Sequence, residues 1–156
     1  MPRDLKVRQL LATAERHTRA HRLARAVRSY RRVLALTHDG DFARELAHAR
    51  LGDLHLGQDR PGLALPHLLR AQALSRGEPE YALMIGRALL ALSRAEEAAA
   101  VLFDAVGSTP HAAQALAELA RAAASLGDHR TAGTLARHAA ARDACWQPTA
   151  IAFADA

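Results

Sequence analysis

The side chains of this 156-residue chain that could do chemistry are nine histidines, one cysteine, and 21 basic against 16 acidic residues. His17 and His21 stand four apart, a spacing that on a helix places two imidazoles on one face, the minimum geometry for a metal pair. No glutamate completes an H-E-x-x-H motif, and no third ligand is evident. A packing role for His17 is therefore the favoured reading, and no metal is expected. Cys145 would need a histidine to lower its pKa before it could act as a nucleophile, and the sequence places none beside it. The glycines form neither a phosphate-cradling loop nor a G-x-S-x-G elbow. With no catalytic constellation and no cofactor motif, the chain reads as a non-enzyme.

Charge is more informative. Residues 1–40 hold ten Lys and Arg against three acids, whereas 41–156 hold 11 against 13. Arg25, Arg28 and Arg32 fall at i, i+3, i+7 on one prospective helix, with Arg16, Arg19 and Arg22 around the turn before it. Such a basic patch suits phosphates or an acidic protein segment. Interleaved aromatics for base stacking are missing, which disfavours nucleic acid. Arginine outnumbers lysine 20 to one, a bias expected of a GC-rich bacterial genome, so a solvated arginine face ranks first and an acidic partner second.

The elements that position these groups are helical. Thirty-eight Ala and 24 Leu against three Phe, two Tyr and one Trp give high helix propensity and few strand formers. A single cysteine excludes an intramolecular disulfide, and no apolar run reaches membrane-span length. The expectation is a soluble, cytoplasmic, all-α protein.

A period of 34 organises the chain, with copies at 7–40, 45–78, 79–112 and 113–146 and an insertion at 41–44. The first helix of each copy repeats an apolar stripe: Leu10, Thr13, Ala14, His17; His48, Leu51, Gly52, His55; Ala82, Ile85, Gly86, Leu89; Leu116, Leu119, Ala120, Ala123. A small residue at the third place permits close helix approach. Ser93 with Glu96 predicts a capping box, Thr109-Pro110 an N-cap with a first-turn proline, and Gly127-Asp128 a helix stop followed by an N-cap. Gly77 and Pro79 separate the second and third copies. A helix starting near Gly62 would leave Pro66 near its first turn, where a missing N–H matters little.

This pattern resembles the tetratricopeptide repeat family. The residues that carry the likeness are Ala14 and Ala26; Gly52, Ala64 and Ala71; Gly86, Ala98, Ala105 and Pro110; and Ala120, Ala132 and Ala139, while several of the family's aromatic slots hold His48, His55 and Ala82. The resemblance implies a right-handed α-solenoid of four helix-turn-helix repeats over 1–146, its first helices lining a concave groove, followed by a short tail at 147–156. Groove candidates are Leu11, Glu15, Leu46, Asp53, Leu56, Leu83, Arg87, Leu90 and Arg121. One slot, Glu15, Asp53, Arg87, Arg121, changes sign midway and would fix the direction of a bound peptide or helix. The carboxylate clamp of chaperone-associated members maps to Leu11, Glu15, Arg50, Glu80 and Met84, or one repeat on to Ala49, Asp53, Met84, Gln114 and Glu118. Neither set can grip a carboxylate in that way. The expected function is a protein-binding adaptor or scaffold. Polyanion binding through the first repeat is the second reading, and self-assembly into a homodimer through Trp146, Ile151 and Phe153 is the third.

Overall fold

In the computed structural model, residues 2–75, 79–107 and 111–146 are described, with Pro79 and residues 143–146 as backbone only. Eight α-helices follow one another among them: α1 (Arg3–Arg19), α2 (Leu23–Leu36), α3 (Phe42–Gly57), α4 (Pro61–Leu74), α5 (Pro79–Ala91), α6 (Ala95–Val106), α7 (Ala112–Ser125) and α8 (His129–Trp146). The chain divides into two compact units, Met1–Tyr81 and Ala82–Ala156. In the first, α1 packs on α2, α2 on α3 and α3 on α4; in the second, α6 packs on α7 and α7 on α8.

The α3–α4 and α5–α6 hairpins close where the sequence places its small residues. A Cβ built on Gly52 would overlap the Leu68 side chain, and one on Gly86 would overlap Leu102. These two contacts are 34 residues apart, so the period seen in the sequence is the period of a helix crossing. Leu51, Leu68, Ile85 and Leu102 are fully buried around these crossings. In the first hairpin Ala14 and Tyr30 take the corresponding slots and share one core with Val7, Ala26, Val33, Ala47, Leu51 and Leu54. Thus α3 buries two faces, the expected stripe against α4 and a second set, Ala47 and Leu54, within the core shared by α1 and α2.

The four turns inside the hairpins share one geometry. His21, Asp59, Ser93 and Gly127 all have positive φ. In each turn that residue's N–H donates three residues back, and the next N–H donates five residues back: Arg22 to His17, Arg60 to His55, Arg94 to Leu89 and Asp128 to Ala123, at 2.8–2.9 Å. This is the Schellman termination, which satisfies orphan carbonyls at a helix end and favours glycine. Only the fourth copy uses one. The geometry overturns the predicted capping box: Ser93 sits in the left-handed turn, Arg94 is the N-cap of α6, and no side chain caps it. The predicted Gly127-Asp128 signal is present, with the Asp128 carboxylate accepting the Thr131 N–H at 3.0 Å.

Other boundaries shift. α4 starts at Pro61, so Pro66 lies inside the helix. Gly62, whose carbonyl therefore lacks its i+4 donor, is exposed like Pro66 itself, so water can satisfy it. The 41–44 insertion is mostly helical, extending α3 by a turn at its N-terminus. His21 falls beyond the end of α1 and so does not share a helix face with His17. Gly77, Thr109 and Pro110 lie outside the described residues.

Where the family carries aromatics, α3 and α4 bring three histidines together. His48 Nδ1 and His67 Nδ1 are 3.0 Å apart, one donating and the other accepting, and the His55 and His67 rings stack at 6.0 Å. Burial, then the charges of His67, Arg44 and Arg70, push the His48 pKa down to about 4, against a smaller opposing effect of Asp39. His55 and His67 are also lowered, first by burial and then by neighbouring cationic groups, Arg31 among them. His48 Nε2 and His55 Nδ1 are buried without a hydrogen-bond partner.

Three outcomes follow from this packing. Gly86→Ala should lower stability by about 1–3 kcal/mol, because Leu102 must leave its seat; in urea unfolding, the double variant with Leu102→Ala should cost less than the sum of the two single losses, and simple additivity would contradict the crossing. Ser93→Gly should raise stability by about 0.5–1 kcal/mol by relieving the left-handed backbone. A depressed histidine pKa means that the unfolded chain takes up protons first. Stability from the trio is therefore complete above the ordinary pKa of 6.5 and is lost as the pH falls through that value toward about 4. His48→Phe should flatten the thermal midpoint across that window, and an unchanged slope would show that the trio does not titrate against folding.

Candidate functional site

The predicted groove residues are described unit by unit. In the first unit, Leu11 and Leu46 line a cleft of 340 Å³ with Val7, Phe42 and Ala43 as its apolar wall and Arg3, Asp4, Arg8, Thr37 and Asp41 at its rim. Phe42, at the start of α3 and 72% exposed, had been read as part of the insertion. Its position immediately after Asp41, the N-cap residue of α3, was the available signal. Glu15 and Asp53 come together in a second cleft of 190 Å³ with Thr18, Arg19, Tyr30, Arg50 and Leu54. Two acids and two arginines thus face one another there, Glu15 standing 3.8 Å from Arg19. Tyr30 is buried at its base, and that burial raises its pKa. Leu56 is partly buried near the end of α3.

In the second unit, Leu83 is 3% exposed and belongs to the core. α5 buries Ala82, Leu83, Ile85, Gly86, Ala88 and Leu89, more of its circumference than one stripe, so Leu83 has no free face to offer a partner. Leu90 remains partly exposed. Arg87 on α5 and Arg121 on α7 do converge, through a residue that was not among the groove candidates. Glu118 is 8% exposed, and its two carboxylate oxygens take Arg87 Nε at 2.8 Å and an Arg121 terminal nitrogen at 2.7 Å. Its i+3 spacing to Arg121 was readable, but its burial was not.

Arg16, Arg19, Arg22, Arg25, Arg28 and Arg32 are all exposed. Arg16 bonds Thr13 and Arg19 approaches Glu15. Ile151 and Phe153 lie outside the described residues, as does the side chain of Trp146. Among the described residues, no group of three ligating side chains could hold a metal ion, and no helix is long and apolar enough to cross a membrane.

No protein-family model matches the sequence, and no curated protein matches it. Solved structures do match. One described as "MamA RS-1 ArsTM double mutant" superposes with a TM-score of 0.81 at 20% identity, covering 91% of this chain and 78% of that one. YrrB, described as a TPR protein with an unusual peptide-binding site, gives 0.74 at 19% identity, over 83% of this chain and 64% of that one. A mutant O-GlcNAc transferase of Thermobaculum terrenum gives 0.74 at 29% identity, over 91% of this chain but 27% of the enzyme's own. The likeness is one of fold, and it agrees with the 34-residue crossing and the repeated turn. In its run of helical hairpins, the chain has a fold similar to that of tetratricopeptide repeat proteins.

Proposed function

We propose that the chain is a non-enzymatic adaptor whose first helices hold a peptide or helical segment of a partner protein. The observation that carries this reading is the arginine pair on Glu118. One buried carboxylate holds two guanidiniums whose side chains are 46% and 68% exposed. The group is left with a net positive charge, and each arginine keeps unused N–H donors. Arginines already held in place lose less rotamer freedom when a carboxylate docks, so the pair is prepared for an acidic residue of the partner. Leu90, one turn along α5 from Arg87, supplies neighbouring apolar area. In the first unit, Leu11, Leu46 and Phe42 form an apolar seat, with Glu15, Asp53, Arg19 and Arg50 in the adjoining cleft. Leu56 completes the face of α3, and Leu83 drops out of it. The peptide-binding site named for YrrB supports the same kind of use.

The test is capture from a lysate of the source cells on the immobilised protein, with and without nuclease. A protein retained after nuclease treatment is expected. Its recovery should fall about tenfold or more with R87E/R121E, the equivalent of at least one lost charge-assisted contact. Undiminished recovery by a double variant that keeps its helical circular dichroism would remove these arginines from the binding face.

A further inference from the structure

α2 carries a second feature, separate from the first-helix faces. Arg22, Arg25, Arg28, Arg31 and Arg32 are all exposed, and none has an ion pair among the described residues. Arg3 meets Asp41, Arg44 and Arg70 meet Asp39, and Arg94 meets Glu97; Arg8, Arg16, Arg50, Arg60, Arg130 and Arg137 also form no ion pair among the described residues, so what sets the α2 set apart is its clustering on one helix. Three acids of this neighbourhood are thereby committed, Glu15 to Arg19, Asp39 to Arg44 and Arg70, and Asp41 to Arg3. α2 itself, Leu23–Leu36, contains no acidic residue.

The arrangement is one-sided. Ala26, Tyr30 and Val33 form the buried stripe of α2, and at 100° per residue Arg28 projects almost opposite it, flanked by Arg25, Arg31 and Arg32. Like charges three and four residues apart repel, each pair costing about 0.2–0.5 kcal/mol. Among the described residues, no acid forms an ion pair with any of these arginines.

We propose that this face of α2 docks an acidic helical segment of a partner protein. Arg25, Arg28 and Arg32 advance about 10 Å along the axis, the same rise that separates carboxylates at i, i+3 and i+7 on a second helix laid alongside. The sole aromatic of α2, Tyr30, is 1% exposed, so the face has no platform for nucleic-acid bases. The exposed large apolar residues, Leu5, Phe42, Leu63, Leu69, Phe103 and Leu126, all lie off α2, so the face has nothing to insert into a lipid surface.

The experiment titrates the whole chain into a fluorescein-labelled helical peptide with glutamates at i, i+3 and i+7, read by anisotropy at low and physiological salt. Duplex DNA and anionic phosphatidylserine vesicles are the parallel probes. Saturable peptide binding is expected, weakened at least tenfold by R25E/R28E/R32E and by the milder R25Q/R28Q/R32Q. With R87E/R121E it should stay within twofold, which separates this surface from the proposed adaptor face. Absence of peptide binding, or equal binding by both folded triple variants, overturns the proposal and leaves a solvated arginine face. Tighter binding of DNA or vesicles, lost in the same variants, overturns it in favour of that polyanion.

Discussion

The central hairpins depend on how closely two helices can approach at one point. Gly52 and Gly86 have no Cβ because Leu68 and Leu102 occupy the space it would need. Close packing of this kind is stabilising when the large residue opposite fills the space without strain, and both leucines are fully buried. The first hairpin solves the same problem with different volumes, Ala14 and Tyr30. In the first three hairpins the repeated slot thus pairs a small residue on the first helix with a larger one on the second, whereas the fourth has Ala120 and an exposed Ala136 there. Tolerance of different volumes at one slot is in keeping with fold similarity that persists at about 20% identity.

The shared turn is the second constraint, and it shows how the chain tolerates local disagreement. Three of the four left-handed positions carry His, Asp or Ser rather than Gly, and three of the four N-cap slots that follow carry Arg22, Arg60 and Arg94. Arginine at a helix N-terminus opposes the dipole and has no acceptor to offer the free N–H groups. Tertiary burial must outweigh both penalties. Only Asp128, behind Gly127, satisfies both rules at once.

These conflicts explain what the sequence could and could not reveal. The crossing glycines, the apolar stripes and the Gly127-Asp128 stop were legible because they obey local rules with one outcome. The Ser93 capping box was misread because the same serine can close one helix or open the next, and the five-residue-back hydrogen bond from Arg94 decides between them. The expected start near Gly62 would leave Pro66 near the first turn; α4 starts at Pro61 with Pro66 inside it, and the exposed Gly62 carbonyl tolerates the lost donor. His67 gave no sign of joining His48 and His55, since α4 sets its angle only after packing. Leu83 and Glu118 share a cause: a stripe assigns one buried face per helix, but α5 and α7 bury more than one.

The charged groups then divide by what folding does with them. Glu118, Asp39 and Asp41 are each drawn into contacts between elements, where one carboxylate serves one or two arginines. An arginine held in this way is partly neutralised, and what it still offers a partner is direction. The arginines of α2 are the opposite case, carrying full charge with no internal contact to orient them. A surface of the first kind selects by geometry and a surface of the second by charge and steering, the latter weakening with salt. In the proposed adaptor, the geometry that would select a partner and the charge that would attract it fall on different helices.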